Sequence, residues 1–178
     1  MKQLLEHFSW KPSDTLLSLG CGSAWWEVNL LLHQPCQEII LIDLNTQVLS
    51  LEAVQESIAY FEKNQSSSFS SQIQIFHSPI TEIPIAPLSI DGIFIFNAWH
   101  ELAPLEEILP VLKRLVKPGG WILLEEELSV DQRRIHEGCA QELYFQEEID
   151  LQMASIDYSL SQKLVKEKQT FYLKYMNP

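Results

Sequence analysis

The feature that most constrains this chain is an alternation. Short, nearly unbroken runs of apolar and β-branched residues are separated by longer stretches with helical periodicity. The runs fall at 15–19, 38–43, 72–76, 92–96 and 121–124. A strand with both faces covered reads as a continuous apolar run, whereas a half-exposed strand alternates. Between the runs, Val48, Leu51, Val54, Ile58 and Phe61 recur every three or four residues, as do Leu105, Ile108, Leu109, Leu112 and Leu115. Such spacing lays an apolar stripe along an amphipathic helix. Strand, helix, strand in regular order implies parallel pairing through right-handed crossovers. The expectation is an α/β, doubly wound sheet with helices on both faces.

The C-terminal end departs from this rhythm. Two strand-like runs, 159–166 and 169–176, are separated by only a few residues, a gap that permits an antiparallel hairpin and no crossover. Seven strands are therefore expected, five parallel and two in a terminal hairpin. A helix over 131–144 and a shorter one over 146–154 should precede the hairpin, and the serine-rich stretch 66–71 should be a solvated loop. With 178 residues, the chain is read as a single domain over 1–178. Its parts are a short N-terminal segment (1–14), a core (15–128) and C-terminal helices with the hairpin (129–178).

Composition removes several function classes. A chain that is 46% hydrophobic and 20% charged is neither collagen-like nor disordered. The net charge of -12 repels polyanions, so neither nucleic acid nor an anionic membrane is expected as a partner. Residues 1–10 scatter charges among apolar residues, unlike a signal peptide or a membrane span. The three cysteines, Cys21, Cys36 and Cys139, are an odd number without a CxxC pair, which fits neither a disulfide framework nor a thiolate zinc site. A reducing, cytoplasmic setting and no metal are expected.

The first strand runs into Ser18-Leu19-Gly20-Cys21-Gly22-Ser23-Ala24-Trp25-Trp26. In open α/β sheets, ligands bind beyond the carboxyl ends of the strands, commonly at the first strand-to-helix turn. Gly20 and Gly22 allow positive φ and close approach of the backbone to a ligand. The dinucleotide fingerprint would need a third glycine where Trp25 stands, and the phosphate-loop ending is absent, so hydride and nucleoside-triphosphate chemistry have no support. The second strand ends at Asp43, some 20 residues on, where a carboxylate can accept two hydrogen bonds from a ribose diol.

Four segments, LLSLGCGSA, IILIDLNTQVLSLEA, SIDGIFIFNAWHEL and LPVLKRLVKPGGWILLEEE, occur in an order and spacing that resemble the class I S-adenosylmethionine-dependent methyltransferases. The likeness continues through YFQEEIDLQMASIDYSL and the hairpin, so it spans nearly the whole chain. It implies a Rossmann-like methyltransferase fold and S-adenosylmethionine as cofactor, released as S-adenosylhomocysteine. By this resemblance Gly20, Cys21 and Gly22 would line the methionine moiety, Asp43 would hold the ribose and Leu44 would cover the adenine. The backbone of Asn97 would face the methionine end. Pro118-Gly119-Gly120 resembles the family's turn before the fifth strand, and Asp91 its turn residue before the fourth.

The pattern is broken in three places. Ser18 stands where the family usually has an acid that orders the cofactor's amino group. Ala24 replaces a third glycine, a mild change if that residue is helical. Pro79 occupies the position of an acid that meets the adenine amino group, leaving the backbone amide of Ile80 for that contact.

Methyl transfer from a sulfonium needs the acceptor held in line and, where the acceptor carries a proton, a base. His100, in Trp99-His100-Glu101 after the fourth strand, is the candidate catalytic residue because its ordinary pKa lies near neutrality. Trp25, Trp26 and Trp99, with Phe8 and Trp10, are candidates for an aromatic wall or for core. His136, with Arg133 and Arg134, could read an anionic acceptor or form a solvated helix face. The short segment before the first strand leaves the pocket open, to be closed by that segment, a second subunit or a macromolecular substrate, so a homo-oligomer or protein partner stays open. The expected function is methyl transfer to a small-molecule acceptor. The alternative is a methyltransferase-like binding or scaffold protein that has lost catalysis.

Overall fold

The computed structural model describes residues 2–178. The chain divides into two compact units, one ending at Pro84 and one running from Ile85 to Pro178. The strand order is β3-β2-β1-β4-β5-β7-β6, a mixed seven-stranded α/β sheet ending in an antiparallel hairpin, as the sequence pattern predicts.

The first unit contains α1 (Lys2–His7), β1 (Thr15–Leu19), α2 (Trp25–His33), β2 (Glu38–Ile42), α3 (Leu51–Gln65) and β3 (Gln72–Phe76). β1 pairs parallel with β2 from Thr15↔Glu38 to Leu19↔Ile42, and β2 with β3 from Glu38↔Gln72 to Ile42↔Phe76. All three strands therefore end at the same edge. Leu16, Leu17, Ile39 and Leu41 are almost wholly buried, which accounts for the continuous apolar runs. Ser50 caps α3, its Oγ accepting the Ala53 N–H at 3.1 Å. The helix buries Val54 and Phe61 as expected but leaves Leu51 exposed at its first turn, and Val48 lies before it. The serine-rich stretch is partly tied down, because Ser71 is buried and its Oγ accepts the Cys36 N–H at 3.0 Å.

The second unit contains β4 (Ile90–Phe96), a 3₁₀ turn (Trp99–Glu101), α4 (Leu105–Leu115), β5 (Val116–Glu127), α5 (Gln146–Ala154), β6 (Ser159–Glu167) and β7 (Thr170–Met176). β4 and β5 are parallel, while β7 runs antiparallel to both β5 and β6. β5 begins earlier than the apolar run suggests, so Pro118-Gly119-Gly120 lies within the strand, with Gly119 at φ 75°. Asp91 likewise lies inside β4 rather than before it, paired to Lys117 Nζ at 2.7 Å. Tyr175 Oη donates to Asp150 Oδ1 at 2.6 Å and fastens β7 to α5.

The helix expected over 131–144 does not form. The segment is irregular, held by bridges between Ser129 and Phe145 and between Ile135 and Glu142. The sequence offers no apolar stripe there: Ile135 is 61% exposed, and of the apolar side chains in the stretch Leu143 is the one in the core. Ser129 also competes for the backbone, its Oγ donating to Leu143 O and accepting the Arg134 N–H, both at 2.9 Å. Among the described residues, no helix is long and apolar enough to cross a membrane.

Candidate functional site

In the first unit, the carboxyl ends of β1 and β2 meet through one carboxylate. Asp43 Oδ2 accepts the Gly22 N–H at 2.7 Å, and Oδ1 accepts the Asn45 N–H at 2.9 Å. Gly20 and Gly22 have φ of 68° and 54°, so the turn needs the positive φ for which glycine was expected. A Cβ built on Gly22 would meet nothing within 4 Å, so open space lies beside this backbone. Leu44 is exposed, Asp43 is half-buried, and Ile80 is buried.

Ala24 corrects an expectation. It is left-handed, with φ 56° and ψ 20°, and it starts α2 without a side-chain cap. The alanine therefore sits where an L side chain costs roughly 1–2 kcal/mol, and its replacement of glycine is not mild.

Ser18 does not stand alone either. Its Oγ donates at 2.6 Å to Oε1 of Glu27, and both side chains are buried. A carboxylate thus reaches position 18 from α2, nine residues away in sequence. Sequence reasoning missed Glu27, although a lone acid among Trp25, Trp26, Val28 and Leu30 to Leu32 was the available signal. Burial pushes the Cys21 thiol far up, and the charges of Glu27 and Asp43 push it further. The two carboxylate charges, though not the burial, favour a cation beside this turn.

The tryptophans, candidates for wall or core, have separate partners within their own units. Trp25 packs on Phe61 and Tyr60 of α3, with ring centroids 4.4 and 5.0 Å away. Trp10 lies at the far end of α2, its Nε1–H donating to Gln34 O at 2.8 Å. Trp99, in the second unit, is core, and its Nε1–H donates to Gln152 at 2.9 Å.

In the second unit, Asn97 is exposed at the end of β4 with φ 51°, and its N–H donates to Glu125 O at 2.6 Å. His100 follows on the 3₁₀ turn, with its side chain fully enclosed. Its Nδ1 is hydrogen-bonded to Oε1 of Glu126, a buried residue of β5 whose Oε2 accepts the Trp99 N–H at 3.0 Å. Burial disfavours a charged imidazole, but the hydrogen bond and charge of Glu126 outweigh it and raise the His100 pKa. Burial raises the Glu126 carboxyl, with His100 pulling the other way. The His136 ring lies 4.5 Å from that of His100, and its Nδ1 is 3.1 Å from Cys139 Sγ. Arg133 makes a two-pronged pair with Glu148 at 2.7 Å, and Arg134 pairs with Glu127 at 2.6 Å, so both guanidiniums are engaged within the unit.

Residues 17–124, more than half of the chain, match the family described as methyltransferase domain. The chain belongs to that methyltransferase-domain family. The domain is 24% identical over 122 residues to demethylmenaquinone methyltransferase of Lysinibacillus sphaericus (strain C3-41), covering 68% of this chain and 48% of the relative. To the Bacillus cytotoxicus protein of the same name it is 22% identical over 125 residues, 70% of this chain and 49% of the relative. It therefore spans about half the length of those relatives. Among solved structures, a SAM-dependent methyltransferase from Aquifex aeolicus superimposes with a TM-score of 0.76 at 19% identity, covering 99% of this chain and 89% of that one. That likeness establishes the fold. Of the residues expected to serve the methyltransferase domain, Ser18, Gly20, Cys21, Gly22 and Asp43 gather at the β1 and β2 ends, joined by the unforeseen Glu27.

Proposed function

We propose that the chain is an S-adenosylmethionine-dependent methyltransferase acting on a small-molecule acceptor. The observation that carries this reading is the turn of Gly20 to Gly22 clamped by Asp43, with the buried Ser18–Glu27 pair behind it. S-adenosylmethionine carries a sulfonium and an ammonium, and two carboxylates beside an open glycine backbone suit such a cation. Asp43 would serve the ribose, Leu44 the adenine face and the Ile80 amide the ring edge. Cys21 would serve the methionine end. Glu27 would supply, through Ser18, the acid that position 18 lacks.

The matched relatives are named for a small-molecule acceptor, demethylmenaquinone, which supports that acceptor class for this chain. A proton-removing role for His100 would have to run through Nε2, because Nδ1 is held by Glu126. A cytoplasmic setting belongs to the same reading, supported by three free thiols.

Calorimetric titration with S-adenosylmethionine and with S-adenosylhomocysteine, using NAD as control, tests the proposal. Micromolar binding of the first two and none of NAD is the expected result. Absence of binding at millimolar ligand would turn the reading to a scaffold protein.

A further inference from the structure

The second unit brings together His100 from the 3₁₀ turn and His136 and Cys139 from the loop before α5, although the sequence shows no metal-ligand spacing. One nitrogen of each histidine and the Cys139 sulfur all lie within 4.8 Å of one another. The loop achieves this with a tight reversal. His136 N–H donates to Gln141 O at 2.8 Å, Ala140 N–H returns to His136 O at 2.9 Å, and Ala140 takes φ 59°. That turn sets the imidazole of His136 beside the thiol three residues on.

His100 is prepared from the other side. Glu126 binds its Nδ1, and a carboxylate there favours, for the neutral ring, the tautomer with the hydrogen on Nδ1 and the lone pair on Nε2. Nε2 is buried and has no hydrogen-bond partner among the described residues. A buried polar atom without a partner costs roughly 1–3 kcal/mol, so an occupant is called for. A carboxylate behind a histidine whose other nitrogen faces inward is the arrangement that orients metal-binding imidazoles. Glu101 Oε1 lies 4.0 Å from the same Nε2 and can supply a fourth, oxygen ligand.

We propose that His100 Nε2, His136 and Cys139, with Glu101 or a water as fourth ligand, form a binding site for a divalent transition-metal ion of the zinc type. Two imidazoles, a thiolate and an oxygen donor suit tetrahedral Zn²⁺, which requires no redox partner. Zinc–nitrogen and zinc–sulfur bonds of about 2.0–2.3 Å imply ligand separations of roughly 3.5 Å, so on loading any pair near the 4.8 Å limit closes by about 1 Å while His136 Nδ1 and Cys139 Sγ, 3.1 Å apart, open slightly. The half-buried loop residues His136 and Cys139 can make that movement. A bound ion fastens the loop of residues 129–145 to the 3₁₀ turn. It also occupies the one nitrogen through which His100 could act as a base. This inference goes beyond the methyltransferase reading and does not depend on it.

The test uses the full-length protein without a histidine tag. The chelator-treated protein is titrated with Zn²⁺ and with Co²⁺, alongside Cys139→Ser and the double variant His136→Gln/Cys139→Ser, each checked for an unchanged circular dichroism spectrum. One equivalent of Zn²⁺ is expected to bind, at least 100-fold more tightly than to the double variant. Co²⁺ should give tetrahedral visible bands with a thiolate charge-transfer band that Cys139→Ser abolishes. Uptake of less than a tenth of an equivalent, affinity unchanged in the double variant, or a cobalt spectrum without thiolate would overturn the proposal. In any of those cases Nε2 is left to proton chemistry.

Discussion

The glycine turn of the first unit and the histidine cluster of the second solve opposite problems. In the turn, a carboxylate holds backbone amides: Asp43 grips Gly22 and Asn45, and the surface beside Gly22 stays open. In the cluster, side chains hold one another: His100 rests on Glu126, lies tilted against His136, and is closed from solvent. A backbone site needs residues that permit a path, so it is written contiguously. A side-chain site needs partners delivered by separate elements, and here residues 26 positions apart form the central pair.

The largest effect separating the two regions should come from Glu126→Ala. Removing one partner of a buried, hydrogen-bonded pair costs about 3 kcal/mol or more, read as a lower urea midpoint. S-adenosylmethionine affinity of the folded protein should stay unchanged, and a parallel loss of affinity would break the comparison.

Asp43→Ala should act the other way, weakening S-adenosylmethionine binding by about 2 kcal/mol, some 30-fold, in calorimetry. Asp43→Asn keeps an acceptor for the Gly22 amide and should lose less stability than the alanine variant while still losing affinity. Equal affinity in all three proteins would remove Asp43 from the cofactor grip.

Glu27→Gln sharpens the account of position 18. If the buried acid serves the cofactor's amino group, affinity falls by about 1.5 kcal/mol, roughly tenfold. A lower melting temperature with unchanged affinity would make Glu27 a packing device for α2 instead.

The smallest effect is a gain. Ala24→Gly relieves a left-handed alanine and should stabilise the protein by up to about 1 kcal/mol, after the glycine's larger unfolded-state entropy is allowed for. A destabilised variant would mean that the buried methyl group packs well enough to offset the backbone cost.

What the sequence disclosed follows the same division. β1 is legible because both its faces are covered; β3, at the sheet edge and half exposed, has the expected bounds through its alternating isoleucines, and α5 also has the expected bounds. Gly20, Gly22 and Asp43 were legible because positive φ and a strand-end carboxylate leave marks at fixed places. Glu27 was hidden by its position inside an apolar helix, and its partnership with Ser18 exists only once α2 folds back along β1. Glu126 was hidden in a run of three glutamates, of which the strand buries the middle one fully. The place of His136 is not legible in the sequence, because a helix expected over 131–144 gives way to a serine-anchored loop that turns it toward His100. Trp25 and Trp99 are both candidates for ligand wall or for core in the sequence; Trp99 is core and tied to α5, whereas Trp25 packs on α3 and stays 38% exposed.

Amide hydrogen exchange with and without saturating S-adenosylmethionine shows whether the glycine turn and Asp43 grip the cofactor. The account predicts strong added protection at the amides of residues 20–24 and 43–46, where backbone and Asp43 form the grip. No added protection in those two stretches, with protection appearing elsewhere or nowhere, would contradict it.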